Sequence, residues 1–182
     1  RTDDGHMQGV HGLGDYTLVF LDTLDGPPYR DGHHAGRLCP ARMRWADRAI
    51  AAAPGPVVIF MHHPPYAVGF PGMDDIRLAD DEAFLAMLSR HGPGKVAHVL
   101  SGHVHRTISG NVGGISVSLL KSTCHQMPML LGARGSGHSV AEPGAYGIVL
   151  LGPRSVIVHS EDFDIAGTLP VGDHDSGEGT RA

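Results

Sequence analysis

Cysteine is scarce in this chain of 182 residues, which has only Cys39 and Cys124. Two thiols cannot build a disulfide framework, so a reducing, cytoplasmic setting is expected. Long apolar runs are missing too, and no signal peptide is visible, so no membrane partner is expected. Positive charge is in short supply: 14 Lys and Arg against 19 Asp and Glu leave a formal charge of −5. That balance argues against a nucleic-acid polymer or an anionic membrane as the main partner. Internal repeats are absent. The chain also lacks an initial methionine, opening Arg1-Thr2-Asp3-Asp4-Gly5, and is read as a piece of a longer protein. At 41% hydrophobic it can bury one good core, so one domain is expected.

Apolar patterning supplies the elements. Residues 16–22 are β-branched and apolar, as a buried strand requires. A Gly-, Pro- and His-rich loop follows over 26–36. Pro40 suits the first position of a helix running to about Ala53, with Met43, Ala46 and Ile50 at helical spacing. Pro54-Gly55-Pro56 ends it and a strand, 57–61, begins. Residues 69–72 read as a loop. Asp80 or Asp81 is expected to cap a helix over 82–90 that turns Phe84, Leu85 and Leu88 inward. Gly92-Pro93-Gly94 stops it before a strand over 96–100. Shorter strands are expected at 106–111, 115–120, 147–151 and 155–159. Strand–helix alternation giving way to short antiparallel strands predicts a layered α/β sandwich. From residue 167 to 182 the chain is polar and glycine-rich, and a disordered tail is expected.

The histidines, 14 in all, matter for where they fall. The strand Val57-Val58-Ile59-Phe60-Met61 delivers His62-His63-Pro64-Pro65, and Val96-Ala97-His98-Val99-Leu100 delivers Ser101-Gly102-His103-Val104-His105. In α/β sheets ligands gather beyond the carboxyl ends of strands, and neutral imidazole is a common ligand for zinc, manganese and iron. His62, His103 and His105 are therefore candidate metal ligands. Residues one apart on a loop can diverge toward two points, so the His-x-His pair could serve two ions. Gly102 is expected to allow the tight turn, and Pro64 and Pro65 to stiffen the loop. His63 is expected either to support its neighbour, which takes the ligand role, or to be structural. Tyr66, Phe70 and Met73 lie in a loop that either overhangs the site or simply packs. Asp74 and Asp75 are expected to cap local structure, Cys39 to be structural, and Cys124 to be a buried thiol.

With Ser122-Thr123-Cys124-His125-Gln126, these two motifs resemble the calcineurin-like metallophosphoesterases. Within that family the chain is most similar to the class III cyclic-nucleotide phosphodiesterases and glycerophosphodiesterases of bacteria. The likeness runs from about Tyr16 to His159 and includes Gly36-Arg37-Leu38, Trp45 and Met73-Asp74-Asp75. It implies a layered α/β/β/α sandwich of which this chain supplies mainly the second half, residues 1–166 being the C-terminal part of one domain. It implies two metal ions (Mn, Fe or Zn), His62 and His103 on one and His105 on the other, with His125 at the substrate phosphate. It also implies hydrolysis of a small phosphodiester, a 3′,5′-cyclic nucleotide or a glycerophosphodiester, by a metal-activated hydroxide. Two cations about 3.5–4 Å apart suit that chemistry.

The family's first half supplies an Asp-x-His, a Gly-Asp with a bridging carboxylate and a Gly-Asn-His. Asp31-Gly32-His33, Gly14-Asp15 and Gly110-Asn111 echo these but occur in the wrong places, and are read as coincidences. The missing N-terminal segment, or an intimate homo-oligomer, is expected to complete the site and cover exposed sheet. A phosphomonoesterase and a catalytically inactive metal-binding or interaction module are the alternatives.

Overall fold

A computed structural model describes residues 5–26, 28, 34–132 and 139–163 of the chain. The expected tail at 167–182 and Asp31-Gly32-His33 lie outside the described residues. The elements in order are β1 (Gly9–Leu13), β2 (Tyr16–Phe20), α1 (Pro40–Ala52), β3 (Val57–Phe60), α2 (Pro71–Asp74), α3 (Asp81–Arg90), β4 (Val96–Ser101), β5 (Ile108–Val112), β6 (Ile115–Leu119), β7 (Ala145–Gly152) and β8 (Ser155–Asp162). The expected α/β class is observed.

One sheet has the order β1-β2-β3-β4-β6-β5, and β7 and β8 form a separate hairpin. Strands β2, β3, β4 and β6 run parallel, while the outer strands β1 and β5 are antiparallel to their neighbours. Period-two alternation divides the apolar side chains between two faces. Val19, Val57, Ile59, Val99 and Val117 share one cluster with Ala46 and Ile50 of α1 and Phe84, Met87 and Leu88 of α3. Tyr16, Val58 and Leu100 point the other way and pack with Val149, Leu151, Val156 and Val158 of the hairpin. Each such side chain, fully buried, contributes about 1.5–3 kcal/mol. His98 belongs to this second face and bonds Ser118 Oγ at 2.9 Å, a structural use of histidine.

Several expectations change in detail. β1 was not foreseen: its Gly-Val-His-Gly-Leu sequence is mostly exposed and carries no clean alternation. Gly14 and Asp15 form the turn from β1 into β2. The loop expected at 69–72 instead opens a short helix at Pro71, held by Met73 and Asp74 N–H groups donating to the Phe70 carbonyl, each at 2.8 Å. Met87, not Leu85, joins Phe84 and Leu88 in facing inward on α3. Asp80 occupies the cap position of α3 but makes no side-chain cap bond; its Oδ2 accepts from Leu38 N–H at 3.0 Å. Arg42, rather than Met43, is buried on α1. Its guanidinium donates to the carbonyls of Asp22 at 2.9 Å and Leu24 at 2.7 Å, so it fixes the segment leaving β2.

Candidate metal centre

Because β2, β3, β4 and β6 are parallel, their carboxyl ends share one edge, and the chain after each is delivered to the same crest. The ladder continues past the strands: Leu21 N–H donates to Phe60 O at 2.9 Å, Met61 N–H to Leu100 O at 3.0 Å and Gly102 N–H to His62 O at 3.0 Å. The histidines thus inherit their positions from backbone pairing. Val104 N–H then donates to Gly102 O at 2.8 Å, a three-residue turn centred on His103. His103 (φ 68°) and His105 (φ 56°) are both in the left-handed region, a conformation costly for side-chain-bearing residues and concentrated at functional sites. The tight turn expected of Gly102 is carried by its neighbours instead; Gly102 leaves room beside the His62 ring, 3.4 Å from where a Cβ would stand.

His62, His63 and His103 each bring a ring nitrogen within 4.8 Å of the others. His62 Nε2 and His103 Nδ1 are 3.2 Å apart, and the two rings meet edge-on at 5.0 Å. His103 Nε2 is buried and has no hydrogen-bond partner. Desolvation pushes the His103 pKa down to about 3, with the positive potential of His63, His62 and His105 adding to it. His62 is also lowered, first by desolvation of its ring and then by His105. These imidazoles are held neutral near pH 7, the state in which they can donate a lone pair to a metal. His62 Nε2 and His103 Nδ1, two neutral ring nitrogens facing each other at 3.2 Å, are a donor pair that fits a cation.

His63 lies between these rings but its nitrogens are engaged, Nδ1 with Thr23 Oγ1 at 2.8 Å and Nε2 with His34 O at 3.0 Å. His105 stands apart from the three-ring group and pairs edge-on with His125 at 4.7 Å. Its pKa is lowered by burial first and by His125 second. His125 is exposed, and its Nδ1 lies 3.3 Å from Cys124 Sγ. Cys124 is likewise exposed, not the buried thiol expected.

The loop bearing His125 hangs on Gln126, a motif residue assigned no role of its own from the sequence. Gln126 is fully buried; its Oε1 accepts from Ser122 N–H at 3.0 Å and its Nε2 donates to Ser122 O at 2.8 Å and Pro143 O at 3.1 Å. Arg106 donates to Met127 O at 2.9 Å and Glu142 Oε1 at 2.8 Å. Tyr66 and Phe70 are buried in the main core, with Met73 packed against it, so this loop packs rather than overhangs. Asp74 caps local backbone, accepting from Val68 and Gly69 N–H at 2.7 and 3.1 Å.

No family profile matches the chain. It is 35% identical over 172 residues to a probable cyclic nucleotide phosphodiesterase of Rhodopseudomonas palustris, covering 93% of this chain and 61% of that protein. It is 29% identical over 121 residues to a cAMP/cGMP dual specificity phosphodiesterase of Mycobacterium tuberculosis, covering 65% of this chain and 35% of that one. Against the glycerophosphodiester phosphodiesterase GpdQ of Enterobacter lignolyticus it is 29% identical over 112 residues, or 61% and 38% of the two chains. The chain therefore spans about three-fifths or less of these relatives (61%, 35% and 38%). Among solved structures, the GAP50 anchor of the Plasmodium inner membrane complex superposes with a TM-score of 0.47 and 14% identity, over 86% of this chain and 53% of that one. No helix among the described residues is long and apolar enough to cross a membrane.

Proposed function

We propose that this chain is part of a calcineurin-like metallophosphoesterase and provides the histidine half of a metal-dependent phosphodiesterase site. The observation that carries this reading is the 3.2 Å approach of His62 Nε2 to His103 Nδ1. Two neutral imidazoles presented by adjacent parallel strands would hold one cation, and His105 a second. His125, exposed on the next loop, would donate to a phosphate oxygen of the substrate. Bound Mn, Fe or Zn would neutralise phosphate charge and acidify water. Carboxylates that balance the metal charge would come from outside this chain, through further sequence of the same domain or a second copy. That added polypeptide would also supply the outer helical layer, over a hairpin whose Tyr146, Ile148, Leu150 and Ile157 are exposed. A 3′,5′-cyclic nucleotide is the first substrate inferred, a glycerophosphodiester the second, from the activities in the relatives' names.

The test joins metal analysis to an assay. With manganese and the rest of its domain, the protein should bind about two ions and hydrolyse one of these diesters. His103→Ala should lower metal content and abolish turnover; unchanged metal content would sink the reading. A second reading, an inactive metal-binding module, is favoured by one observation: the group able to hold a metal among the described residues contains histidines alone. Three imidazoles resemble an open single-ion site, so one ion or none, without hydrolysis, would support the module.

A further inference from the structure

We propose that Thr23 and the His34 carbonyl lock His63 into its Nε2–H tautomer, making it a positioning residue that sets the His62 and His103 rings. On spacing alone the three histidines look like three ligands, because their nitrogens fall within 4.8 Å. The hydrogen bonds argue otherwise. A carbonyl oxygen only accepts, so the 3.0 Å contact from His63 Nε2 to His34 O places the ring hydrogen on Nε2. Thr23 Oγ1 already receives the His63 backbone N–H at 3.3 Å. Its own proton is then free to be donated to His63 Nδ1, 2.8 Å away. Both ring nitrogens are committed, one as donor and one as acceptor. For a metal to claim Nδ1 it would have to displace a hydroxyl that is itself buried, since Thr23 is 2% and His63 3% exposed.

The ring is also held from behind. A Cβ at Gly36 would stand 2.3 Å from His63 Cγ, so Gly36 backs the imidazole with bare backbone and leaves it no space to retreat. Thr23 is fixed in turn: its carbonyl accepts from Arg37 N–H at 2.8 Å, and Arg42 holds the carbonyls on either side of it. The immobilised ring meets His62 edge-on at 4.7 Å and lies tilted on His103 at 4.5 Å. Both rings must aim a lone pair at one cation, so a wall that stops either from rotating governs metal affinity without touching the metal. The role in affinity rests on the proposed function; the tautomer does not.

Long-range proton–nitrogen NMR of the nitrogen-15-labelled chain reads both parts. His63 should show a hydrogen-bearing Nε2 and a bare Nδ1, unchanged on adding Zn²⁺, while His62 and His103 nitrogens shift. A His63 with hydrogen on Nδ1, or one whose nitrogen shifts as a ligand does, would overturn the proposal. Calorimetric titration with Zn²⁺ should find affinity about 10–100-fold lower in Thr23→Val, the usual cost of removing a ligand's supporting partner, and restored in Thr23→Ser. Equal affinity in all three proteins would refute the positioning role. No zinc response at His62 and His103, with His63 still locked, would uphold the lock and remove the metal reading beneath it.

Discussion

The crest of the sheet has two flanks, His62 and His103 on one and His105 and His125 on the other, and they are held differently. The first flank is placed by the β3–β4 ladder, which extends past the strands to Gly102 and His62, and is walled by a ring with both nitrogens bonded. The second depends on a loop organised by Gln126 and tied to the rest by Arg106, with His125 and Cys124 exposed. Backbone pairing fixes a side chain's origin to within a fraction of an ångström. A side-chain-anchored loop can yield without disturbing the sheet. On the proposed reading the first flank would hold one ion through His62 and His103, while the second would hold another through His105 and meet the substrate through His125.

The sharpest way to break this contrast is to remove one histidine from each flank. His103→Ala should reduce metal affinity beyond the roughly 10–100-fold typical of outer partners, whereas His125→Ala should leave bound metal unchanged and weaken only substrate binding, both read by metal analysis and calorimetry. Equal metal loss in the two variants would erase the distinction. Next in size, Gln126→Ala removes the bonds that this fully buried amide makes to Ser122 N–H, Ser122 O and Pro143 O and should cost about 2–3 kcal/mol in a urea melt, with manganese affinity retained.

Acid should act mainly on the first flank. His103 is held down to about 3, and His62 and His105 are also lowered. In each case the unfolded chain takes up a proton more readily than the folded one. Stability of the metal-free protein is therefore full above the ordinary histidine pKa and falls as pH drops from there toward about 3. His103→Gln should flatten that fall in a pH series of melts; an unchanged slope would place the acid sensitivity elsewhere. The smallest effect is expected of Glu142→Gln. Its pair with Arg106 is solvent-screened, so neither the thermal midpoint nor the metal content should shift measurably.

The parts of this site legible in the sequence were those with strong local signals. Val57–Met61 and Val96–Leu100 are uninterrupted apolar runs ending in histidine, and parallel strands bring such ends together whatever lies between. The supports were not legible because each is a long-range polar contact with no periodicity. Thr23 meets His63 across 40 residues, Arg42 reaches back to Asp22 and Leu24, and Gln126 looks like any loop residue until it is found buried. Gly102 shows the limit of reasoning from residue type: a glycine in a turn is the natural bearer of unusual backbone, yet His103 and His105 take it. β1 escaped because an exposed outer strand is free of the alternation that burial imposes.

The β7–β8 hairpin has apolar side chains on both faces, Val149, Leu151, Val156 and Val158 inward and Ile148, Leu150 and Ile157 outward. Sliding it by one residue would swap one greasy face for another at little cost, so hydrophobicity by itself cannot say which is the inside. Two contacts break the tie. The Tyr16 hydroxyl lies within hydrogen-bond reach of the Gly152 carbonyl at 2.9 Å and the Ser155 carbonyl at 3.2 Å, gripping the hairpin by its turn. Farther along, Leu120 Cδ1 would come within 2.1 Å of any Cβ at position 147, so a side chain there would have to push Leu120 aside. Phase in this hairpin is set by a phenol and a missing methyl group.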